Sequence, residues 1–137
     1  MGPMADPSTS GPRASVLVID DNMDAADSMA RFLRIAAGFD VRVAYDGQTA
    51  LKSAMQQPPD AIVCDIGLPK FDGMQFAREL VAQLPVKPLL IAVTGYGGTF
   101  AEAQVREAGY DFYLVKPTDP FVIERLIQSH DRRTQSG

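Results

Sequence analysis

The chain has 137 residues, a length typical of one domain that buries roughly two-thirds of the surface exposed by its unfolded chain. Its 13 Lys and Arg residues against 17 Asp and Glu residues give a net charge of −4 without a basic block, which argues against nucleic-acid binding. The single cysteine excludes an internal disulfide, and no long apolar run or signal-peptide pattern is present, so we expect a cytoplasmic protein without membrane contact.

The two ends of the sequence are polar and differ from its middle. Residues 1–13 are rich in Pro, Gly, Ser and Thr, which predicts a disordered lead, in part an expression remnant. Residues 132–137 are also polar and are expected to form a flexible tail. We therefore place one domain at residues 14–131.

Five short β-branched segments alternate with segments of helical periodicity in the middle of the chain. The strands are predicted at residues 15–20, 41–45, 60–65, 88–94 and 111–115. Two of them, around Ile62-Val63-Cys64 and Leu90 to Val93, are apolar throughout, as central strands covered on both faces are. The pattern predicts an α/β fold, a doubly wound (βα)5 sandwich on a five-stranded parallel sheet.

The first two helices have clear ends in the sequence. The first should end at Gly38, a left-handed cap position, with an inward stripe of Ala25, Met29, Phe32, Leu33 and Ala36. The second spans Gln48 to Met55 and is ended by Pro58-Pro59.

The remaining three helices have start signals. The third follows the Asp72-Gly73 turn, and the fourth is predicted to begin with a capping box from Thr99 to Glu102. Asp119 followed by Pro120 predicts an N-cap and the first position of the fifth helix.

Polar residues cluster where the predicted strands end. Asp20-Asp21 follow the first strand, Asp65 ends the third, Thr94 ends the fourth and Lys116 follows the fifth. The carboxyl ends of parallel strands share one edge of a sheet, so these side chains should lie together. Clustered carboxylates require a cation, and an all-oxygen ligand set is the preference of Mg²⁺, with Mn²⁺ as a second possibility.

Asp65 is our candidate nucleophile for phosphoryl transfer, because its strand is central and carboxylates attack phosphorus in known phosphoryl-transfer reactions. In this interpretation the Asp20-Asp21 pair holds the metal from the side. Lys116 contacts Asp65 or the phosphoryl oxygens as a point charge, and Thr94 offers a hydroxyl to the same group.

These residues in this order resemble the receiver domain of two-component response regulators. The resemblance is carried by Asp20-Asp21, by Asp65 to Pro69 with Asp72-Gly73, by Thr94 and by Lys116-Pro117, and it spans the whole core. It implies the flavodoxin-like strand order 2-1-3-4-5. It also implies a cis bond between Lys116 and Pro117, which the sequence permits.

The resemblance also implies roles for the site residues. Asp65 would accept a phosphoryl group from a phosphohistidine on a histidine kinase or histidine phosphotransfer protein. Asp21, Asp65 and the Gly67 carbonyl would ligate Mg²⁺ directly, and Asp20 would do so through water.

The same resemblance implies a switch. Lys116 and Thr94 would bind the phosphoryl oxygens, and the movement of Thr94 would let Tyr113 rotate inward. This change biases the face formed by the fourth helix, fifth strand and fifth helix, where a downstream protein would bind. Such a domain catalyses only its own phosphorylation and dephosphorylation and is otherwise not an enzyme.

Three positions depart from the common family pattern. Leu68 replaces the more usual Met and Thr118 the common Phe, and both substitutions are interpreted as packing changes. Gly95 begins a Gly-rich stretch after Thr94, and glycines lose the most entropy on ordering. We hypothesise that water reaches the phosphoryl group easily there, so that the phosphorylated state is short-lived.

Alternatives remain open from the sequence. Asp21 can instead cap the first helix at a solvated strand end. The chain can be a constitutive adaptor that works without phosphorylation, or a small Mg²⁺-dependent aspartyl-phosphate phosphatase, although Asn22 stands where the phosphatase motif has its second aspartate. Cys64 is expected to be an inert core thiol. The sequence does not distinguish a stand-alone receiver from part of a longer protein.

Overall fold

A computed structural model of the chain describes residues 13–67, 72–95 and 101–136, with side chains described as far as residue 130. Strands and helices alternate from the first element to the last. The strands are β1 (Ser15–Ile19), β2 (Asp40–Ala44), β3 (Ala61–Asp65), β4 (Leu89–Thr94) and β5 (Phe112–Val115). The helices are α1 (Met23–Ala37), α2 (Gly47–Gln56), α3 (Gly73–Gln83), α4 (Glu102–Ala108) and α5 (Pro120–Ser136).

The five strands form one parallel sheet in the order β2-β1-β3-β4-β5. The predicted flavodoxin-like fold is therefore confirmed, and each strand lies within one residue of its predicted bounds. All side chains of β3 and β4 are buried, which confirms both as central strands covered on their two faces.

Two apolar cores lie on opposite faces of this sheet. The first joins alternate strand residues such as Val16 and Val18 to α1 and α5, and the second joins Leu17 and Ile19 to α2, α3 and α4. Adjacent residues of one strand point to opposite faces, so a single strand contributes to both cores. The strand ends, where the chain turns into the helices, lie between these two layers.

Helix α1 ends as predicted, and its buried face differs from the predicted one at two alanines. Gly38 is the C-cap with a φ of 70°, in the left-handed region that favours glycine. The buried residues are Ala26, Ala30 and Leu33, whereas the predicted stripe residues Ala25 and Ala36 are exposed and Met29 and Phe32 are partly buried. The prediction is confirmed for Leu33, Met29 and Phe32, which lie in or against the core, and was wrong for Ala25 and Ala36. A stripe through Ala26 and Ala30 fits the helical period equally well.

Helix α4 begins later than predicted. Its N-cap is Ala101, which has extended backbone (φ −69°, ψ 133°) and no side-chain cap hydrogen bond, so Glu102 is the first helical residue. A capping box from Thr99 would require Ala101 to be helical, and this prediction was wrong. Thr99 itself lies outside the described residues.

Helix α5 begins as predicted and extends further than expected. The Asp119 carboxylate accepts a hydrogen bond from the Phe121 N–H at 2.9 Å, which satisfies a free amide of the first turn. The helical backbone continues to Ser136, through most of the segment predicted to be a flexible tail. In the described part of the chain, none of the helices has the length and apolar character needed to span a membrane.

Candidate functional site

The polar residues predicted from the strand ends meet at the carboxyl edge of the sheet. Asp65 and Thr94 are the last residues of β3 and β4, and Asp20 and Lys116 directly follow β1 and β5. Since β1, β3, β4 and β5 are successive parallel neighbours, the topology brings all four residues to one place.

The Lys116 side chain contacts both buried carboxylates. Its Nζ lies 2.7 Å from Asp65 Oδ2, with which it makes a hydrogen bond, and 3.6 Å from Asp20 Oδ2. Asp20 and Asp65 are only 8% and 9% exposed. The Lys116 backbone N–H donates to the Thr94 carbonyl at 2.8 Å, which fixes the lysine beside β4. One ammonium thus faces two carboxylates across four strands.

Burial and neighbouring charges both shift the pKa values of Asp20 and Lys116. Burial raises the pKa of Asp20 above its ordinary value, and the nearby Asp65 and Asp21 carboxylates raise it further. The hydrogen bond from the Asn22 amide and the charge of Lys116 lower this pKa, but by less than the other effects raise it. Burial lowers the pKa of Lys116, but its hydrogen bond to Asp65 and the charges of Asp65 and Asp20 outweigh this, so the pKa is raised. Lys116 therefore stays a cation at neutral pH.

Backbone amides hold the other oxygen of each carboxylate. The Gly67 N–H donates to Asp65 Oδ1 at 2.9 Å, and the Asn22 N–H donates to Asp20 Oδ1 at 3.0 Å. A Cβ atom added at Gly67 would lie 3.5 Å from Asp65 Oδ1 and 3.6 Å from Thr94 Oγ1. The acceptor carboxylate and the threonine hydroxyl therefore border the same small space.

Asn22 is a site residue that the sequence analysis missed. Its side chain caps α1 by accepting from the Ala25 N–H at 3.1 Å, while its own N–H contacts Asp20. The alternative in which Asp21 caps this helix was wrong, because Asn22 is the N-cap. The available signal was a preferred N-cap residue, Asn, directly before the helical period.

Some of the oxygen ligands predicted for a metal ion lie close together in the structure. Asp20 and Asp65 lie close together, whereas the Asp21 side chain is exposed. Within residues 13–67, 72–95 and 101–136, no three His, Cys, Asp or Glu side chains are grouped to hold a metal ion. The donor set is nevertheless all oxygen, and two buried carboxylates share one ammonium, which fits a hard divalent cation. The roles of Asp21 and of the Gly67 carbonyl as ligands stay predictions.

The two proposed switch residues occupy neighbouring strands. Thr94 is 1% exposed at the end of β4, and Tyr113 is half-buried on β5 against the core shared by α2, α3 and α4. The peptide bond between Lys116 and Pro117 is cis, as the resemblance implies. Rotation of Tyr113 stays a prediction.

Cys64 lies next to Asp65 but on the opposite side of its strand, as predicted. It is fully buried in the core shared by α2, α3 and α4. Burial raises the pKa of its thiol to about 12. A thiol with this pKa carries almost no thiolate at neutral pH, so Cys64 has the properties of an inert core residue.

Comparison with known proteins agrees with this geometry. The family model described as the response regulator receiver domain matches residues 16–128. The transcriptional regulatory protein PrrA of Mycobacterium tuberculosis is 40% identical over 112 residues, which are 82% of this chain and 46% of that protein. The chain spans about half the length of the curated relatives it matches.

Solved structures share the fold. A CheY-like response regulator receiver domain from Methanospirillum hungatei has a TM-score of 0.80 at 24% identity, covering 91% of this chain and 99% of that one. A Burkholderia pseudomallei response regulator with a phosphorylated aspartic acid, calcium ion and citrate has a TM-score of 0.76 at 29% identity. That match covers 90% of this chain and 71% of that one. With its fold, its strand-end residues and its matched family model, the chain belongs to the receiver domain family of two-component response regulators.

Proposed function

We propose that this receiver domain accepts a phosphoryl group on Asp65 from a phosphohistidine of a partner protein and acts as a signalling switch. The observation that carries the proposal is the arrangement of Asp65. Its carboxylate lies at the carboxyl edge of the sheet, with Oδ2 2.7 Å from Lys116 Nζ and Oδ1 2.9 Å from the Gly67 amide. A single carboxylate is thus fixed at both oxygens beside a cation.

The transfer is a displacement at phosphorus. A carboxylate oxygen of Asp65 forms the new O–P bond, while the P–N bond to the partner's histidine breaks and its electron pair stays on the imidazole. Lys116 is placed to neutralise charge on the phosphoryl oxygens, and the buried Thr94 hydroxyl borders the same space. A histidine kinase or histidine phosphotransfer protein is the expected donor.

A divalent cation completes the proposed site. Asp20, Asp21, Asp65 and the Gly67 carbonyl are the groups that would hold Mg²⁺ or Mn²⁺, whose charge would offset that of the phosphoryl oxygens. The similar Burkholderia pseudomallei structure contains a calcium ion and a phosphorylated aspartic acid, which supports a divalent cation and a phosphoryl group as ligands of this fold. In this chain, burial of Asp20 beside two other acids makes a cation favourable.

The proposed output is a changed protein-binding surface. Phosphorylation would draw Thr94 toward the phosphoryl oxygens and let Tyr113 turn inward, altering the face formed by α4, β5 and α5. The relatives named as transcriptional regulatory proteins are about twice as long as this chain. We infer that the domain signals by contact with a downstream protein or an attached output domain.

The test is phosphorylation with a small donor. The protein is incubated with acetyl phosphate and Mg²⁺ and its intact mass is measured, alongside Asp65→Asn and a control, Asp40→Asn. Asp40 is an exposed acid at the opposite, amino end of a strand. We expect one phosphoryl adduct in the wild type and the control, and none in Asp65→Asn or with EDTA. A folded protein that gains no adduct would contradict the proposal and favour the constitutive adaptor.

A further inference from the structure

The buried hydroxyl of Tyr110 joins the segment before β5 to the first residue of α3. Tyr110 is 2% exposed, and its hydroxyl donates to the Gly73 carbonyl at 2.8 Å, across 37 positions of the chain. The aromatic ring packs in the core shared by α2, α3 and α4. The ring alone accounts for this packing, so the contact with Gly73 is the separate contribution of the hydroxyl.

Gly73 is in close contact with the residue that follows Asp65. A Cβ atom added to Gly73 would lie within 3.1 Å of three atoms of Ile66, one of which is its Cα. Ile66 is 1% exposed, and its backbone N–H donates to the Val93 carbonyl of β4 at 2.9 Å. Because a packed interior transmits displacements, the position of the start of α3 also determines the position of Ile66.

The residue after Ile66 holds the Asp65 carboxylate. The Gly67 N–H donates to Asp65 Oδ1 at 2.9 Å. This N–H belongs to the planar peptide group that joins Ile66 to Gly67, so its direction follows the orientation of Ile66. On the other side of Asp65, the Cys64 thiol is a hydrogen-bond partner of the Tyr110 hydroxyl. The hydroxyl therefore acts on the chain both before and after Asp65.

We propose that Tyr110 is a positioning residue for Asp65. Its hydroxyl fixes the start of α3 through the Gly73 carbonyl. The packed contact between this glycine and Ile66 then directs the Gly67 N–H to Asp65 Oδ1. This hydrogen bond is a property of the folded chain alone, whereas its effect on phosphoryl transfer rests on the proposed function. A carboxylate held in one orientation attacks phosphorus more readily than one that rotates.

The first test measures this hydrogen bond without a metal or a phosphoryl donor. Exchange of amide protons with water is followed by NMR saturation transfer in the ¹⁵N-labelled wild type and in Tyr110→Phe. The internal reference is the Asn22 N–H, which makes the equivalent bond to Asp20 Oδ1 at 3.0 Å, at the start of α1. We expect exchange at Gly67 to become roughly fivefold faster, the factor that one net hydrogen bond corresponds to, and exchange at Asn22 to stay unchanged. Equal acceleration at both amides, or unchanged exchange at Gly67, would overturn the proposal.

Two control variants separate this contact from other effects. Tyr45→Phe removes a hydroxyl that donates to Asp27 of α1 at 2.6 Å, at the same edge of the sheet. Gly38→Ala should lower stability through its left-handed backbone, and it precedes β2 at the opposite, amino edge. Both controls should keep the wild-type exchange at Gly67. Acceleration in either control as large as in Tyr110→Phe would refute the positioning role.

Gly73→Ala reaches the same contact without removing the hydroxyl. Its added methyl group presses on Ile66, so exchange at Gly67 should again become faster while exchange at Asn22 does not. Wild-type exchange in this variant would refute the path through Gly73. This variant decides alone should Tyr110→Phe fail to fold.

The second test addresses the reaction. The rate of phosphorylation by acetyl phosphate with Mg²⁺ is measured by intact mass for the wild type, Tyr110→Phe and the two controls, Tyr45→Phe and Gly38→Ala. We expect Tyr110→Phe to react roughly fivefold more slowly and the controls to react at the wild-type rate. An unchanged rate in Tyr110→Phe, with the wild type phosphorylated, would overturn its role in the reaction. Should the wild type itself not be phosphorylated, the proposed function fails, and exchange at Gly67 alone decides whether Tyr110 positions Asp65.

Discussion

Gly73 is the position where one added methyl group should have the clearest effect. It is the first residue of α3 and packs against Ile66, which directly follows Asp65. A Cβ atom at Gly73 would lie 2.8 Å from Ile66 Cγ2, 2.9 Å from its Cβ and 3.1 Å from its Cα. Ile66 is 1% exposed, and the Gly73 carbonyl is held by the Tyr110 hydroxyl at 2.8 Å, so neither side can easily move.

The expected magnitude comes from two opposing effects. Adding atoms to a packed core costs about 1–3 kcal/mol, whereas replacing Gly by Ala in a helix gains up to about 1 kcal/mol. For Gly73→Ala we therefore expect a net loss of roughly 1–2 kcal/mol in the free energy of unfolding. In a domain of this size the loss lowers the Tm by about 3–8 °C.

Urea and thermal unfolding followed by circular dichroism measure this loss directly. The matched control is Gly95→Ala, because no atom of the described residues lies within 4 Å of a Cβ added at Gly95. We expect the control to stay within about 0.5 kcal/mol of the wild type, as surface substitutions usually do. A Gly73→Ala protein as stable as the wild type would show that helix propensity, rather than the contact with Ile66, decides this position.

Three further predictions concern single groups. Burial raises the pKa of Asp20 above 3.8 in the folded state, so its ionised form costs stability as the pH rises above that value. Asp20→Asn should therefore have a higher urea midpoint at pH 7, and the gain should vanish as the pH falls toward 3.8; a lower midpoint at pH 7 would contradict this. Cys64, fully buried with a pKa of about 12, should resist iodoacetamide until urea unfolds the protein, and stoichiometric labelling of the native state would be inconsistent with its burial. Gly38→Ala should cost about 1 kcal/mol in the free energy of unfolding through its left-handed backbone alone, since no atom of the described residues lies within 4 Å of the added Cβ. Gly38→Asn should cost less by urea unfolding, and equal costs would argue against a backbone origin.

The parts of this molecule that follow from chain periodicity were predictable. Strand positions follow from the apolar segments of the sequence. Parallel pairing then puts the strand ends at one edge of the sheet, which brings together Asp20, Asp65, Thr94 and Lys116. The sheet order itself came from the family resemblance, because the alternation of strands and helices alone does not determine it.

Features that depend on side-chain choice were not predictable in the same way. Alanines carry little burial signal, so the stripe of α1 was placed on Ala25 and Ala36 rather than on Ala26 and Ala30. The end of α5 has no apolar period, so its helical backbone gave no pattern to detect. A cavity beside Lys116 depends on how β1, β3, β4, α1 and the segment after β5 pack together, which spacing along the chain does not encode.

The contacts of Lys116 complete the site only when distant parts of the chain have come together. Its side chain joins the edge strand β5 to Asp65 on β3 and Asp20 after β1, and Lys116 and Asp20 are 116 − 20 = 96 positions apart in the chain. Contacts between such distant residues form only after the intervening loops have closed. A chain without its last strand leaves two buried acids without their cation. We therefore expect the proposed phosphorylation site to be complete only in the fully folded domain.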